Sequence, residues 1–432
     1  MNFLPAQKSL WEATAVAAPD APPLRGPRDA DVVVVGGGYA GLSCALHLAE
    51  RGVAVTVLEA AHVGAGASGR NGGQVLFGGK QSRSELVARY GEATGHRLHA
   101  FGAGAADATF AIIKRLGLQC DAVQAGSIYA ADSPAGLAET CSKHQALMAM
   151  GVDARALDRD QLREATGSHA YLGGYFNPRG GSVQPLSLVR ELARATLGAG
   201  AQVHEGSPAL SIARDGADWR VHTAHGSVRA RRVLLATNGR PGGLWSRLNQ
   251  AVLPVWSFQV ATDPLPPSAG VLAGGAVVSD TRRVLRYFRR DREGRLVLGG
   301  KGTIRAPRGP QSFALQRKTL ARLYPQLADQ ALSFYWGGQV SVTLDRLPRL
   351  FVLDEGVLAT VACNGKGVAW NVALGPVLAD AMSGAPLGSL PLPPARPLQA
   401  IPLHSLKQIY TAVGGTWLRL CDSLDRSRPH FS

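Results

Sequence analysis

The sequence predicts an α/β fold of two interleaved parts: a domain built on parallel βαβ units and, inserted into it, a mixed or antiparallel β-sheet domain. Three stretches predict it. Residues 31–58 read as strand, glycine turn, helix and second strand. Residues 252–342 hold several β-rich runs with their own aromatics. Residues 356–368 then return to a strand that enters a glycine turn and a helix. A chain of 432 residues has length enough for more than one large core.

Val32–Val35 is an unbroken β-branched run, the pattern of a strand buried on both faces. Gly36, Gly38 and Gly41 follow at G-x-G-x-x-G spacing, with Gly37 between them. That spacing permits a tight turn, close approach of backbone to a pyrophosphate and close packing of helix on strand. The helix through Leu42–Glu50 would turn its free N–H groups toward the phosphates. A second strand, Val53–Leu58, ends in Glu59 and Ala60, about 20 residues beyond Gly41, where an acid binds a ribose diol. This is a Rossmann-type unit for a dinucleotide with an unphosphorylated ribose, NAD or FAD.

Residues 1–30 are rich in Pro and Ala and aperiodic, with Trp11 and Leu24 as anchors of an arm over the core. A second glycine-rich stretch, Gly64–Gln74, makes sense where backbone passes close to something flat or crowded. Residues 84–116 read as amphipathic helices, 125–131 as a strand, 134–150 and 159–166 as helices, and 186–198 as another helix. Strands follow at 201–204, 210–213, 219–224 and 232–236, the last ending in Ala236-Thr237-Asn238-Gly239. The inserted block has strands at 255–261, 276–279, 286–289, 295–298 and 334–342, with a helix at 311–324. The turn Gly365-Lys366-Gly367 starts a helix to Met382, and 404–424 reads as a terminal amphipathic helix. The expected organisation is an arm (1–30), a nucleotide-binding domain in three parts (31–115, 158–250, 345–383), a substrate domain in two parts (116–157, 251–344), and a C-terminal tail and helix (384–432). Three further backbone approaches to one extended ligand favour FAD over NAD.

The five cysteines include no C-x-x-C pair, which argues against a zinc site or a disulfide framework and fits a reducing cytoplasm. His96 and His99 stand three apart on a helix without a carboxylate or cysteine nearby, so no metal is expected. No apolar run approaches the roughly 20 residues of a membrane span, and the start of the chain has no signal-peptide pattern. A soluble cytoplasmic protein is expected. The net charge of +15 is spread over scattered basic residues without interleaved aromatics, so an anionic small molecule is a better-matched partner than nucleic acid.

The sequence D-V-V-V-V-G-G-G-Y-A-G-L-S, then L-E-A, then G-A-S-G-R-N-G-G-Q resembles the FAD-dependent oxidoreductases of the D-amino-acid oxidase superfamily. Within it the likeness is greatest to the γ-glutamylputrescine oxidoreductase group, and it extends through Tyr287-Phe-Arg289 and Trp336-Gly-Gly. The resemblance implies a glutathione-reductase-like FAD-binding domain and a β-sheet laid over the isoalloxazine. It implies that Gly36, Gly37, Gly38 and Gly41 take the pyrophosphate and Glu59, with Ala60, the adenosine ribose. Ser68, Gly69, Arg70, Asn71, Gly72, Gly73 and Gln74 would line the path to the flavin, with Ala236 and Thr237 beside it. Gly365, Lys366, Gly367 and Val368 would meet the pyrimidine end. Arg70 stands where some relatives carry the histidine of a covalent flavin, so FAD is expected to be non-covalent.

Two departures from the family pattern bear on substrate. Amino-acid oxidases of the superfamily often show W-x-G-x-R, whose arginine clamps the substrate carboxylate; Trp336-Gly-Gly-Gln-Val340 places valine there. The usual G-H-G before the last helix is Gly365-Lys366-Gly367, and a lysine there would stabilise the charge of a reduced flavin. Arg289 would take a carboxylate remote from the reacting amine, and Tyr287, Trp256, Gln259 and Trp336 would wall the pocket. The expected activity is oxidation of the C–N bond of a γ-glutamylputrescine-like amine, with oxygen or another compound as electron acceptor. The alternatives are a D-amino-acid or secondary-amine (sarcosine- or glycine-type) oxidase, and a flavin-binding subunit without turnover.

Overall fold

The structure, a computed structural model, describes residues 8–238, 243–245, 247–302, 305–361, 364–395, 400–406, 413, 414, 417, 421, 422 and 425. Gly239 and Cys363 lie outside these residues, as does most of the helix expected over 404–424.

The first sheet runs, edge to edge, through Pro394–Ala395, Arg349–Asp354, Val357–Val361, Gly226–Leu235, Gly26–Val35, Val55–Leu58 and Gln202–His204. From Val357–Val361 to Gln202–His204 every pairing is parallel, as βαβ connections require. The central Val32–Val35 run is at most 5% exposed, which explains why its residues do not alternate in polarity. Its strand begins at Gly26, so the end of the expected arm is already part of the sheet. The arm also starts with a short helix, Leu10–Thr14, closed by a capping box between Ser9 and Glu12, and both Trp11 and Leu24 are buried.

Helices Tyr39–Ala49 and Gly367–Ser383 cross closely on this sheet. The Ser43 hydroxyl donates to the Val372 carbonyl at 2.8 Å, and a Cβ at Gly375 would stand 1.9 Å from the Ser43 oxygen. Only glycine permits that crossing.

The second sheet follows the order Leu332–Val342, Leu253–Pro264, Arg295–Lys301, Arg286–Arg290, Val277–Asp280, Ser127–Ala131, Gly173–Asn177 and Arg155–Leu157. Its pairings are antiparallel except for Val277–Asp280 on Ser127–Ala131, so it is a mixed sheet. Gly173–Asn177 belongs here, beyond the boundary expected at residue 157. Period-two alternation sorts the Leu253–Pro264 strand into two faces. Phe258 and Val260 enter a core with Phe288, Phe313, Leu320 and Leu323 from the far side, while Leu253, Val255, Ser257 and Gln259 face the first domain. That second face builds the site.

Among the described residues no helix is long and apolar enough to cross a membrane, and no group of His, Cys, Asp and Glu could hold a metal ion.

Candidate active site

The glycine turn after Val35 has the crowding that the spacing predicts. Gly36 has φ +118°, and a Cβ there would meet the Ala236 carbonyl oxygen at 2.7 Å; one at Gly41 would meet the Gly36 carbonyl oxygen at 2.1 Å. Glu59 lies beside the turn, its carboxylate accepting the N–H of Gly37 at 2.8 Å and of Ala61 at 3.0 Å. Burial raises its pKa against these hydrogen bonds. Ala60 is exposed at the rim. Ser68 reaches from the second glycine stretch and accepts the N–H of Tyr39, in the first turn of the helix, at 3.0 Å.

Asn71 organises that second stretch. Its amide donates to the carbonyls of Ala67 and Ser68 at 3.1 and 2.8 Å, and its oxygen accepts the Gly73 N–H at 2.8 Å. Gly72 and Gly73 have no room for side chains: a Cβ would lie 2.5 Å from the Tyr287 ring and 2.3 Å from the Val183 carbonyl oxygen. Gly69 is equally tight, 2.4 Å from the Gly64 carbonyl oxygen. Gln74 stitches the stretch to the second sheet, donating to Val278 O at 2.9 Å and Phe288 O at 3.3 Å while accepting from Ser279 at 3.1 Å. Arg70 donates to Gly337 O at 2.7 Å and pairs with Glu12 of the arm at 3.6 Å.

Between this stretch, the second sheet and the start of the last helix lies a cavity of about 390 Å³. Ser68, Arg70, Asn71, Gly72 and Gln74 line one side, and Gly365, Gly367, Val368 and Asn371 another. The sheet supplies Leu253, Val255, Ser257, Gln259, Tyr287, Val340 and Val342. Three regions far apart in sequence, 68–74, 253–287 and 365–371, therefore converge.

The polar groups of the sheet wall have fixed orientations. The Gln259 amide donates to the Arg70 carbonyl at 2.7 Å, so its buried oxygen is the atom left without a partner among the described residues. Ser257 donates to the Gly300 carbonyl at 3.0 Å, and Ser257 and Tyr287 hydroxyls lie 2.7 Å apart. Since a carbonyl can only accept, the Tyr287 hydroxyl donates to Ser257, and both side chains keep acceptor lone pairs. Burial pushes the Tyr287 phenol up to about 12, so it stays protonated.

Other expected residues are placed differently. Arg289 is buried, and each nitrogen donates to a carbonyl: Nε to Gly72 at 2.8 Å, Nη1 to Arg290 at 3.1 Å and Nη2 to Val183 at 2.7 Å. Its guanidinium also stacks 4.8 Å from the Trp11 ring, and burial lowers its pKa to about 10. It clamps backbone: three of its five N–H groups go to carbonyls of the glycine stretch and its neighbours, and the buried side chain is not among the cavity lining. Trp336 is also outside the lining; its indole donates to Arg70 O at 3.1 Å and meets Trp11 edge-on. Trp256 touches the cavity, but its register turns the ring toward the Phe258 core. The Lys366 ammonium is absent from the lining and donates to Phe77 O at 2.7 Å and Gly79 O at 3.1 Å. The cations at the cavity are Arg70, Lys80, Arg283 and Arg346, and no Asp or Glu is among the described lining residues.

Tyr39, Ser257, Val255, Ser279, Leu285 and Asn371 line the cavity without having been singled out by the sequence. Strand periodicity could have found Ser257 and Val255 once Gln259 was set on the inner face. Nothing local marks Asn371.

The cradle fits FAD on two observations. The glycine positions reject any side chain where a pyrophosphate must approach. The buried hydroxyl of Thr237, at the end of the strand beside the turn, has no partner among the described residues. Gly36–Gly41 and Glu59 would hold the dinucleotide end, and residues 68–74 and 365–368 the flavin end.

A family model described as DAO, FAD-dependent oxidoreductase, matches residues 31–381. The chain is 30% identical to γ-glutamylputrescine oxidoreductase of Escherichia coli, over 91% of this chain and 93% of that one. It is 31% identical to the probable oxidoreductase OrdL of Haemophilus influenzae, over 84% and 85% of the two chains. Glycine oxidase of Geobacillus kaustophilus shares the fold, with a TM-score of 0.72 and 21% identity, over 83% of this chain and 96% of that one.

Proposed function

The chain belongs to the DAO family of FAD-dependent oxidoreductases, and on that premise we propose that it oxidises a primary amine whose carboxylate lies far from the reacting nitrogen, as in γ-glutamylputrescine. FAD is the cofactor, and the reaction is oxidation at a C–N bond. Bound FAD supplies the two-electron acceptor, which takes hydride from the carbon beside the nitrogen. The residues of the chain bind and orient the amine.

The observation that carries this reading is the sheet wall. Its Ser257 and Tyr287 hydroxyls keep acceptor lone pairs, and the buried Gln259 Oε1 beside them has no partner among the described residues, a match for a nitrogen rich in donors. At the position where an α-carboxylate clamp would stand, Val340 faces the cavity with a hydrocarbon side chain. A simple α-amino acid then lacks, at that position, the arginine that would take its carboxylate. Four cationic side chains and no carboxylate among the described lining residues suit a substrate of lower positive charge than a free diamine, although Arg70 and Arg283 also have carboxylate partners behind the lining. An amine that brings its own carboxylate suits that field. The oxidised substrate leaves as an imine, which water converts to an aldehyde and ammonia, and oxygen or another acceptor takes the electrons onward.

The test is anaerobic bleaching of the flavin colour by an amine panel. γ-Glutamylated diamines are expected to bleach it at lower concentration than putrescine, D-amino acids, sarcosine or glycine. Preference for D-amino acids or sarcosine would replace this reading with the amino-acid or secondary-amine one. Failure of every amine would leave a flavin-binding protein without turnover.

A further inference from the structure

The loop 281–285, which joins the Val277–Asp280 and Arg286–Arg290 strands, is held by two carboxylates. Asp280 accepts the N–H of Arg282 at 3.3 Å and of Arg286 at 3.0 Å. Asp422 accepts the N–H of Arg283 at 3.0 Å and of Val284 at 3.1 Å. Its side chain is only 3% exposed and also pairs with Arg283 at 3.5 Å and Arg282 at 3.7 Å. Arg283 pairs with Asp425 as well, and Arg282 with the buried Asp132 at 2.8 Å.

Asp422 and Asp425 supply negative charge where residues 282–286 carry three arginines. Without them Arg282 and Arg286 would share Asp132 and Asp280, and Arg283, which pairs with Asp422 and Asp425, would lose both carboxylates beside two like charges. A buried carboxylate with two N–H donors and two guanidinium neighbours is costly to break, because each partner loses its counter-group. The loop so held delivers Arg283 and Leu285 to the cavity wall next to Tyr287. Asp422 lies beyond residue 381, where the family match ends.

We propose that Asp422 is a positioning residue for amine oxidation: through this carboxylate the C-terminal segment holds the 281–285 loop as a wall of the amine pocket and sets the affinity for the amine. The proposal rests on the reading of the cavity as the amine site.

The test uses the full-length, FAD-loaded protein and its Asp422→Ala and Asp422→Asn variants. Amide hydrogen exchange reads the loop, and anaerobic titration with a γ-glutamylated diamine reads affinity separately from the limiting rate of bleaching. In Asp422→Ala the amides of Arg283 and Val284 are expected to exchange about tenfold faster, and those of Arg282 and Arg286, held by Asp280, to change less. The apparent Kd for the amine rises about tenfold, while FAD content and limiting rate stay within about twofold. Asp422→Asn, whose amide oxygen still accepts, falls between. Unchanged exchange at 283 and 284 overturns the proposal, as does faster exchange with an unaltered Kd. Loss of FAD with a general rise in exchange also overturns it, because Asp422 would then support the fold and not the pocket. If the unaltered protein is bleached by no amine, the amine reading itself falls and takes the proposal with it. An unaltered protein that is bleached, beside variants of equal affinity, sinks the proposal alone.

Discussion

Gln259 and Tyr287 stand in one row across three strands of the second sheet, each in register with Gly299 between them. A Cβ at 299 would lie 2.2 Å from the Tyr287 ring, so the missing side chain is what lets the tyrosine lean toward Gln259. Both residues line the cavity and donate to a neighbouring group, the Arg70 carbonyl and the Ser257 oxygen, which leaves each an acceptor, that of Gln259 buried and without a partner among the described residues. The strand pairing therefore decides the polarity of the pocket.

Replacing Gln259 with Leu removes the unpartnered acceptor and nearly preserves volume. The apparent Kd for the amine is expected to rise about tenfold, the worth of one hydrogen bond to a polar or charged nitrogen. Anaerobic titration of the flavin colour measures it; an unchanged Kd would remove Gln259 from substrate binding.

Thr237→Val exchanges an orphaned buried hydroxyl for a methyl of the same shape. The protein stripped of FAD should be as stable or about 1 kcal/mol more stable, since a buried group without a partner is gone. FAD affinity should fall about tenfold if that hydroxyl serves the cofactor. Urea unfolding and FAD titration of the apoprotein read the two effects separately.

Arg289→Met leaves the carbonyls of Gly72, Val183 and Arg290 without their donor. A stability loss of roughly 3 kcal/mol is expected. Its signature is a lower unfolding midpoint with amine affinity nearly unchanged in the protein that stays folded. A selective loss of affinity for carboxylate-bearing amines would return Arg289 to the substrate site.

Lys366 is half-buried and burial lowers its pKa to about 7, with Lys143 and Lys80 adding repulsion. The folded chain thus binds this proton less tightly than the unfolded chain, where a lysine titrates near 10.4. Its contribution to stability is least favourable below pH 7 and improves as pH rises from about 7 toward the unfolded value. Lys366→Met should accordingly lose more stability relative to the unaltered protein at pH 9 than at pH 6, measured by urea midpoints. The limiting rate of flavin bleaching should stay within about twofold, because the amine is committed to Phe77 O and Gly79 O. A larger drop in that rate would give Lys366 the charge-stabilising role its place beside the glycine turn suggests.

Local sequence carried the nucleotide-binding end. The Val32–Val35 run, the glycines at 36, 38 and 41, and Glu59 form within one βαβ unit, so spacing alone specifies which atoms meet. The same holds for Gly72 and Gly73, whose crowding their sequence announces. The inserted sheet was legible as β-rich from its strand runs, and Val340 as a pocket position through the resemblance to the family's W-x-G-x-R motif.

What the tertiary structure decided is where long polar side chains end. Arg289 and Tyr287 lie two residues apart on the same face of one strand, yet Tyr287 walls the cavity and Arg289 is drawn into the backbone beneath it. The difference comes from carbonyls at positions 72 and 183 that lack other donors, a demand set by segments distant in the chain. Lys366 is diverted by the carbonyls of residues 77 and 79 in the same way, and the 281–285 loop is shaped by an aspartate more than a hundred residues downstream. A sequence states which hydrogen-bonding groups exist and which face they start from. Only the folded chain settles which buried carbonyl, carboxylate or cavity claims each one, because a buried polar group takes the nearest partner that relieves its desolvation.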